Sequence, residues 1–272
     1  MTSLPNPQTL DLQLENEWLT IWFNQSEKRN ALTDELRSDL QTVLTSVRND
    51  RGVRGITLRG RGGVFCAGGD LKHFQSDFQA GASLADIRVM SRDAAAIMDA
   101  VNTAPQVVIV LVEGAAMAGG FGIACCGDVV ICEDKARFAM TETALGLSPA
   151  QIAPFVIQKL GYAVARRLMV TAERFDGSRA LALGFADFTA PNVEELEAIE
   201  AEIRSRVLRC APGAIAETKE LIRQLPALGR EDAIEAAADN FARRMKTDEA
   251  KEGISAFFDK RPAKWAARPV TT

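Results

Sequence analysis

The sequence has few of the side chains on which nucleophilic and metal-dependent catalysis depends. It contains a single histidine, His73, and no GxSxG turn, so a Ser-His-Asp triad is disfavoured. We interpret His73 as a surface or loop residue rather than a catalyst. No cluster of histidine, cysteine and carboxylate residues has the spacing of a metal site, so the sequence predicts neither a bound metal nor a redox cofactor.

The chain also lacks a basic block and a long uninterrupted apolar run. Of its 272 residues, 32 are Lys or Arg and 36 are Asp or Glu, which gives a net charge of −4. This balance argues against a nucleic-acid partner, because phosphate binding requires clustered cations. The apolar stretch 107–126 is interrupted by Glu113 and several glycines, and the first ten residues do not have the pattern of a signal peptide. Neither export nor a membrane span is predicted.

The five cysteines do not have the arrangement of a disulfide framework. They lie at positions 66, 125, 126, 132 and 210, and no two of them have CxxC spacing. An odd number without that spacing also disfavours a zinc or dithiol site. We interpret them as buried free thiols in a reducing, cytoplasmic environment.

Hydrophobic periodicity predicts alternating strands and helices in the first half of the chain. Alternation of apolar and polar residues over 9–14 and 18–23 predicts an antiparallel hairpin. Helices are predicted at about 33–49 and 84–103, and strands at 55–59 and 107–112. This order is typical of β-α units around a parallel sheet, in which ligands bind at the carboxyl ends of the strands.

The second half of the chain is predicted to be mostly helical. Short strands are predicted at 128–132 and 136–140, helices follow from Gln151, and 184–187 is the last predicted strand. Pro212 is suited to the first turn of a helix. Residues 192–259 are rich in Ala, Glu and Arg, with apolar residues at helical spacing, which predicts a C-terminal helical region.

Two glycine-rich loops follow predicted strands, at 60–70 and 114–122. Neither loop fits a P-loop or the GxGxxG fingerprint of dinucleotide binding. Glycine lets the backbone approach a ligand closely, and the free N–H groups at a helix start stabilise negative charge. The loops therefore supply two candidate backbone donors, Gly69 and Gly119, and Glu142 follows a short strand as a candidate catalytic carboxylate.

Several segments together resemble the crotonase (enoyl-CoA hydratase/isomerase) superfamily. They occur in the expected order and span nearly the whole chain: Lys28-Arg29-Asn30-Ala31-Leu32, Phe65-Cys66-Ala67-Gly68-Gly69-Asp70-Leu71, Ala118-Gly119-Gly120-Phe121-Gly122, Arg137-Phe138-Ala139-Met140-Thr141-Glu142, Leu145-Gly146-Leu147, Glu252-Gly253-Ile254-Ser255-Ala256-Phe257 and Lys260-Arg261-Pro262. The resemblance implies an α/β fold, a crotonase-like spiral of β-β-α units over 1–191, followed by a C-terminal helical trimerisation region over 192–272. It also implies an acyl-CoA substrate and a homo-trimer or dimer of trimers.

The resemblance further assigns roles to individual residues. The N–H groups of Gly69 and Gly119 would form an oxyanion hole for the thioester oxygen, and Glu142 would exchange a proton with a substrate carbon. Coenzyme A, as part of the substrate, would contact the first loops and the C-terminal helices of a neighbouring subunit, through Lys28, Arg29, Ala31, Ala67, Gly68, Asp70, Leu71, Phe257 and Lys260. One preorganised donor in such a hole contributes roughly 3–4 kcal/mol.

Gly122 departs from the family pattern, because a two-glutamate hydratase carries its second carboxylate at this position. Three functions therefore remain open: hydration of a 2-enoyl-CoA, 3-enoyl to 2-enoyl isomerisation by a single glutamate, and acyl-CoA binding with weak catalysis.

Ala150 occupies the position of an aspartate in related dehalogenases and dienoyl isomerases, which disfavours those reactions. Residues 148–155 resemble hydratases of branched or glutaconyl-type substrates, such as isohexenylglutaconyl-CoA and methylglutaconyl-CoA.

Overall fold

The computed structural model describes residues 4–69 and 81–266. The chain opens on the predicted hairpin, in which β1 (Leu10–Glu15) pairs antiparallel with β2 (Trp18–Phe23). The turn residues Asn16 and Glu17 have φ values of 50° and 65°, as a tight two-residue hairpin turn requires. Side chains on one face of β2 are buried, and this fixes the register, since a slip by one residue would expose them.

Seven further strands follow in the described part of the chain: β3 (Gly55–Gly60), β4 (Val107–Val112), β5 (Ala115–Met117), β6 (Val129–Glu133), β7 (Arg137–Ala139), β8 (Phe175–Asp176) and β9 (Phe188–Ala190). Six of the nine form a central sheet in the order β1-β2-β3-β4-β6-β9. Every pair beyond the hairpin is parallel. Strands β3 and β4 are buried almost throughout, which explains the continuous apolar run of β4.

A second, smaller sheet has the order β5-β7-β8. Strands β5 and β7 run parallel, and β8 pairs antiparallel with β7. One face of this sheet contributes Phe138 and Phe175, whose rings pack with Phe121 and with each other at centroid distances of 5.5–6.1 Å. The aromatic cluster fixes the small sheet against the core.

Helices cover the strands and extend the chain at its C-terminus: α1 (Asp34–Val47), α2 (Leu84–Asn102), α3 (Gly119–Cys125), α4 (Ala153–Thr171), α5 (Gly177–Ala182), α6 (Val193–Leu208), α7 (Pro212–Gln224), α8 (Arg230–Met245) and α9 (Asp248–Phe258). The side chain of Thr33 caps α1, and Ser83 with Asp86 forms a capping box at the start of α2. These caps satisfy N–H groups that have no partner within the helix.

Two apolar cores lie on opposite faces of the central sheet. The larger contains the buried stripe of α1, with Leu36, Leu40 and Val43, and the apolar side chains on one face of β3 and β4. The smaller contains Leu196 and Ile203 of α6. No helix among the described residues combines the length and the apolar character needed to cross a bilayer.

The strand predicted at 184–187 is wrong. Gly184 has a φ of 74° and ends α5 in a turn, and Phe185 and Ala186 are buried in the connection that follows. The strand begins only at Phe188. The sequence analysis also did not predict β5 and β8, which have three and two residues and are too short to show a periodic pattern.

Two carboxylates beside the central strands fix loops in place. Asp128 accepts hydrogen bonds from Val108 N–H at 2.7 Å and from Lys219 Nζ at 2.5 Å, which joins α7 to the sheet. Glu113 accepts from Arg59 Nε at 2.6 Å. Both carboxylates therefore have structural partners.

Candidate active site

The glycine loop after β4 turns sharply between β5 and α3. Ala118 lies at this turn with φ 47° and ψ −118°, a conformation that costs a residue other than glycine about 1–3 kcal/mol. Its N–H donates to Ala139 O at 2.8 Å, which ties the turn to the end of β7. The N–H of Gly119 is thereby left at the first position of α3, where it has no partner within the helix.

The second candidate donor, Gly69, ends a segment that is held on both sides. Leu32 N–H donates to Gly68 O at 2.8 Å, and Met117 N–H donates to Cys66 O at 3.0 Å. These bonds add two short extended segments to the edge of the small sheet at β5. The loop that carries Gly69 is therefore positioned by the same sheet that positions Gly119.

The backbones of Gly69 and Gly119 lie close together. A Cβ built on Gly119 would lie 3.9 Å from Gly69 N and 2.9 Å from Leu32 Cδ1. Neither amide donates to an acceptor among the described residues. The buried side chains of Leu32 and Met98 flank the Gly119 position and keep water away, so a negative oxygen bound there would interact strongly with both N–H groups.

Glu142 is the candidate group for proton transfer. It begins a short 3₁₀-helix, Glu142–Leu145, just after β7. Because β5 and β7 are parallel, their carboxyl ends lie side by side, and Glu142 is at the same end as Gly119. Its Oε2 is buried without a hydrogen-bond partner in the described part of the chain. Burial raises the pKa of this carboxyl above its ordinary value, partly offset by a backbone hydrogen bond.

A cleft of about 1080 Å³ opens along the exposed face of the small sheet. At one end it is lined by Ala67, Met117 and Thr141, which adjoin Gly69, Gly119 and Glu142 in sequence, and Arg29 forms part of the same wall. The sequence-predicted acyl-CoA residues Arg29 and Ala67 are thus brought to one cleft. Gly69, Gly119 and Glu142 themselves are not among the residues that line the cleft.

The other predicted coenzyme A residues are placed differently. Lys28 ends a 3₁₀-helix (Ser26–Lys28) and is exposed, Ala31 is half-buried, and Gly68 has a φ of 99°. Phe257 and Lys260 lie at the end of α9 and after it, and they do not line the cleft of their own chain. Asp70, Leu71 and His73 lie outside the described residues.

Asn30 holds the first loop together, a role that the sequence analysis did not identify. It is fully buried with a φ of 54°. Its Oδ1 accepts from Gln25 N–H at 2.9 Å, and its Nδ2 donates to Arg61 O at 3.0 Å and Val64 O at 2.7 Å. Asparagine tolerates this left-handed backbone and can make all three bonds. The asparagine in the family motif at 28–32 could therefore have indicated this role.

The cysteines do not supply a nucleophile here. All five are free thiols, and four of them are buried. Burial raises the pKa of Cys66 and of Cys132 to about 12. Since the thiolate is the reactive form, these thiols are inert at neutral pH.

Comparison with known proteins identifies the family. The pattern of the Enoyl-CoA hydratase/isomerase family matches residues 14–268. A Thermus thermophilus protein provisionally named enoyl-CoA hydratase is 34% identical over 251 residues, which are 90% of this chain and 96% of that protein. This chain belongs to the enoyl-CoA hydratase/isomerase family.

Solved structures agree with this enoyl-CoA hydratase/isomerase assignment and confirm the predicted crotonase-like α/β fold. Pseudomonas aeruginosa AtuE superposes with a TM-score of 0.91 at 41% identity, covering 95% of this chain and 100% of AtuE. An enoyl-CoA hydratase/isomerase from Marinobacter aquaeolei also gives a TM-score of 0.91, at 38% identity over 95% of this chain and 99% of that one.

This enoyl-CoA hydratase/isomerase has no room for a second carboxylate at position 122. A Cβ built on Gly122 would lie 2.4 Å from Ile152 Cγ2 and 3.0 Å from Met98 Cε. The space next to Gly122 is therefore filled by two buried apolar side chains. The sequence shows that the second carboxylate is absent at position 122. It does not show that Met98 and Ile152 fill the space, because these two residues come from distant segments of the chain.

Proposed function

We propose that this protein is an enoyl-CoA hydratase, which adds water across the 2,3 double bond of an acyl-CoA thioester. The observation that carries the proposal is the carboxyl group of Glu142, with Oε2 buried and without a hydrogen-bond partner among the described residues. It lies at the same end of the small sheet as the paired amides of Gly69 and Gly119. An unpaired carboxyl beside two free N–H donors supports proton transfer next to a thioester carbonyl.

In the proposed reaction the thioester oxygen accepts hydrogen bonds from Gly69 N–H and Gly119 N–H. The oxygen of water bonds to C3, and negative charge moves onto the thioester oxygen, where the two donors stabilise it. Glu142 delivers a proton to C2, and the proton released by the water returns to its carboxylate. The raised pKa of Glu142 keeps more of its protonated form available near neutral pH. We propose no metal or redox cofactor for these steps.

The test is Glu142→Gln. The amide keeps the shape of the side chain but cannot transfer the proton, so we expect turnover to fall by roughly 10²–10⁴. The dissociation constant for a non-reactive acyl-CoA should change little, because binding of the coenzyme A moiety does not depend on this carboxyl. Glu15→Gln, an exposed change in the hairpin, is the matched control. Wild-type turnover by the Glu142→Gln variant would contradict the assignment.

A second candidate function is 3-enoyl to 2-enoyl isomerisation. The filled space at Gly122 favours it, because moving one proton from C2 to C4 requires a single carboxylate. The two reactions change conjugation in opposite senses. Loss of conjugated absorbance on adding a 2-enoyl-CoA supports hydration, and its appearance on adding a 3-enoyl-CoA supports isomerisation. Tight binding of both esters without turnover supports the third candidate, a catalytically weak acyl-CoA-binding protein.

We also propose a branched or glutaconyl-type acyl group. The segment 148–155 supports this by its resemblance to such hydratases, and Ile152 of that segment packs against the Gly122 position. A comparison of kcat/KM for methylglutaconyl-CoA, isohexenylglutaconyl-CoA and an unbranched 2-enoyl-CoA tests it. A preference for the unbranched ester would exclude the proposal.

The assembly we propose is a homo-trimer or a dimer of trimers, in which Phe257 and Lys260 of one chain complete the coenzyme A pocket of the next. Support comes from the exposed aromatic side chains of the C-terminal helices, such as Phe257 at 77% and Phe241 at 67% exposure. The free thiols support a reducing, cytoplasmic location.

A further inference from the structure

A polar pair joins α2 to the segment before α4. Gln151 Nε2 donates to Ser91 Oγ at 3.1 Å, and both side chains are half-buried. The Ser91 hydroxyl donates to no described residue, whereas the hydroxyl of Thr103 at the end of the same helix donates to the carbonyl four residues back. The second hydrogen on Gln151 Nε2 also has no acceptor in the described part of the chain. The pair therefore offers two donors to a ligand.

Met98 connects this pair to the paired amides. Its Cε would lie 4.0 Å from a Cβ built on Gly119 and 3.0 Å from one built on Gly122. Met98 follows Ser91 by seven residues, which puts both side chains on one side of α2. The alanines at 94–95 lie between them on that side and are half-buried. Their small side chains leave room for a ligand along this face of the helix.

The distance along α2 suits a short acyl group. A helix rises 1.5 Å per residue, so the Cα atoms of Ser91 and Met98 are roughly 10 Å apart. Long side chains in helices point back towards the amino end, which shortens the gap between Met98 Cε and Ser91. A glutaconyl-type chain extends roughly 5 Å beyond its thioester carbon, and a hydrogen bond adds about 3 Å. An acyl group held at Gly119 can therefore place a carboxylate within reach of the polar pair.

Two cations lie beside the polar pair. Arg88 and Arg92 are four residues apart on α2, on the side next to Ser91. Both are exposed, and neither forms an ion pair with a described residue. Asp86 and Asp93, the acidic residues of the helix nearest to Ser91, lie on its other side. The pair is thus in a positive local field, which favours a carboxylate over a neutral ligand group.

We infer that Ser91 and Gln151 bind a carboxylate at the far end of the substrate's acyl group, and that Arg88 and Arg92 attract it. The inference rests on the proposed function, since it takes the thioester of an acyl-CoA to be bound at the paired amides. It makes the substrate the monothioester of an unsaturated dicarboxylic acid of the glutaconyl type. The polar pair determines specificity and takes no part in the proton transfer.

Two matched esters test this specificity: methylglutaconyl-CoA, and 3-methyl-2-pentenoyl-CoA, in which a methyl group replaces the carboxylate. The wild type should have the higher kcat/KM for methylglutaconyl-CoA. Gln151→Glu keeps an acceptor for the Ser91 hydroxyl, and so can keep the link to α2, but it repels a carboxylate. We expect it to lower kcat/KM for methylglutaconyl-CoA by roughly 10- to 100-fold, and that for the uncharged ester by less than about threefold.

Three further variants separate hydrogen bonding from charge. Ser91→Ala should reduce the preference for methylglutaconyl-CoA by roughly tenfold, because one donor is lost. Arg88→Gln/Arg92→Gln should reduce the same preference and make it less sensitive to salt. Gln158→Glu introduces the same charge at an exposed position of α4. It is the matched control and should leave the ratio of the two kcat/KM values unchanged.

The two esters also separate this inference from the proposed function. Equal losses for both esters in Gln151→Glu would give the polar pair a purely structural role and overturn the inference, as would a wild-type preference for the uncharged ester. If neither ester is turned over, the proposed function fails, and calorimetry then decides the inference alone. The wild type should bind methylglutaconyl-CoA more tightly than the uncharged ester, and Gln151→Glu should remove that difference. Equal binding of the two esters by the wild type would overturn the inference.

Discussion

The carboxyl group of Glu142 is held where water solvates it poorly, and its Oε2 has no hydrogen-bond partner among the described residues. Burial penalises the charged form, so the carboxyl has a higher pKa in the folded chain than in the unfolded chain. The folded state then binds more protons than the unfolded state between these two pKa values, and stability falls as the pH rises through that window. At neutral pH the carboxylate therefore destabilises the fold, which is typical of a catalytic group.

We accordingly predict that Glu142→Gln stabilises the protein at pH 7 while it removes activity. The gain in the midpoint of thermal unfolding over the wild type should be small near pH 4 and grow towards pH 7, since only the wild type ionises. Because the proposed reaction starts from protonated Glu142, kcat/KM should also fall as the pH rises through the pKa of this carboxyl, which lies above its ordinary value of 4.5. A gain that is the same at pH 4 and pH 7 would mean that ionisation of Glu142 is not its cause.

At Gly122 we predict a steric conflict. Gly122→Ala places a methyl group 2.4 Å from Ile152 Cγ2, inside a packed core, and should lower the free energy of unfolding by about 1–3 kcal/mol. Ile152→Ala removes the clashing methyl group, so the double variant should lose less stability than the two single changes together. Ile152→Val keeps Cγ2 and is the matched control. Urea denaturation of the five proteins measures the coupling, and additive effects would contradict the packing described here.

At the scale of elements, Arg54 links the central sheet to the end of α6 and the last described residues. It is buried before β3, and its guanidinium donates to the carbonyls of Cys210 at 2.6 Å, Trp265 at 3.1 Å and Leu208 at 3.3 Å. Its Nε is buried without a partner among the described residues. A single side chain thus satisfies three carbonyls from two distant segments.

Arg54→Met should therefore lower the free energy of unfolding by about 1–3 kcal/mol, because it leaves three partly buried carbonyls without their donor. The loss should be local as well as global, and hydrogen exchange at 208–212 and 262–266 should accelerate more than exchange in β3 and β4. Arg54→Lys keeps the charge but cannot reach three acceptors and should be intermediate. A uniform increase in exchange would show that Arg54 stabilises the core rather than this junction.

The elements that the sequence predicts well are those with a long periodic pattern or a capping signal. The hairpin and α1 were predicted within one or two residues, since alternation over 9–14 and Thr33 before the α1 stripe are local signals. Strands β5 and β8 were missed because their pairing is decided by neighbours distant in sequence. The strand placed at 184–187 was wrong because burial of Phe185 in a turn resembles burial in a strand. The division of the chain at residue 191 stays a prediction.

The candidate site divides in the same way. Gly69, Gly119 and Glu142 belong to motifs that are contiguous in sequence, so the resemblance could assign them. The residues that shape the space around them cannot be found by local pattern. Met98 comes from α2 and Ile152 from the segment before α4, and their contact with the Gly122 position depends on how α2, α3 and α4 pack. A spacing rule contains no information about such a contact.

At the scale of the molecule, the apolar side chains are distributed unevenly. The central sheet is buried on both faces, whereas α8 and α9 leave several large apolar side chains exposed: Ile234, Phe241, Met245, Ile254, Phe257 and Phe258. Large exposed apolar side chains concentrated on two successive helices indicate an interaction site. Ile234, Phe241 and Met245 are spaced by seven and four residues and so lie on one side of α8.

We predict that this side of α8 forms the contact between copies of the chain. Ile234→Glu/Phe241→Glu places two charges in that contact, where burial without a partner is unfavourable. Light scattering should change from a trimer or hexamer to a monomer at micromolar concentration, while circular dichroism stays that of a folded protein. Val170→Glu, an equally exposed apolar position on α4, is the control and should leave the assembly unchanged.

The activity of the same variant tests whether the assembly completes the site. If Phe257 and Lys260 act on the coenzyme A pocket of a neighbouring chain, the monomeric variant should lose affinity for coenzyme A although its own cleft is intact. Mixing it with a Glu142→Gln protein should not restore activity, because the Ile234→Glu/Phe241→Glu chain cannot enter a mixed trimer and the Glu142→Gln chain lacks the catalytic carboxyl. A monomer with wild-type KM would show that one chain holds the whole substrate. The contact on α8 would then contribute to stability alone. The cleft lined by Arg29, Ala67 and Arg137 would make all of the contacts that bind coenzyme A.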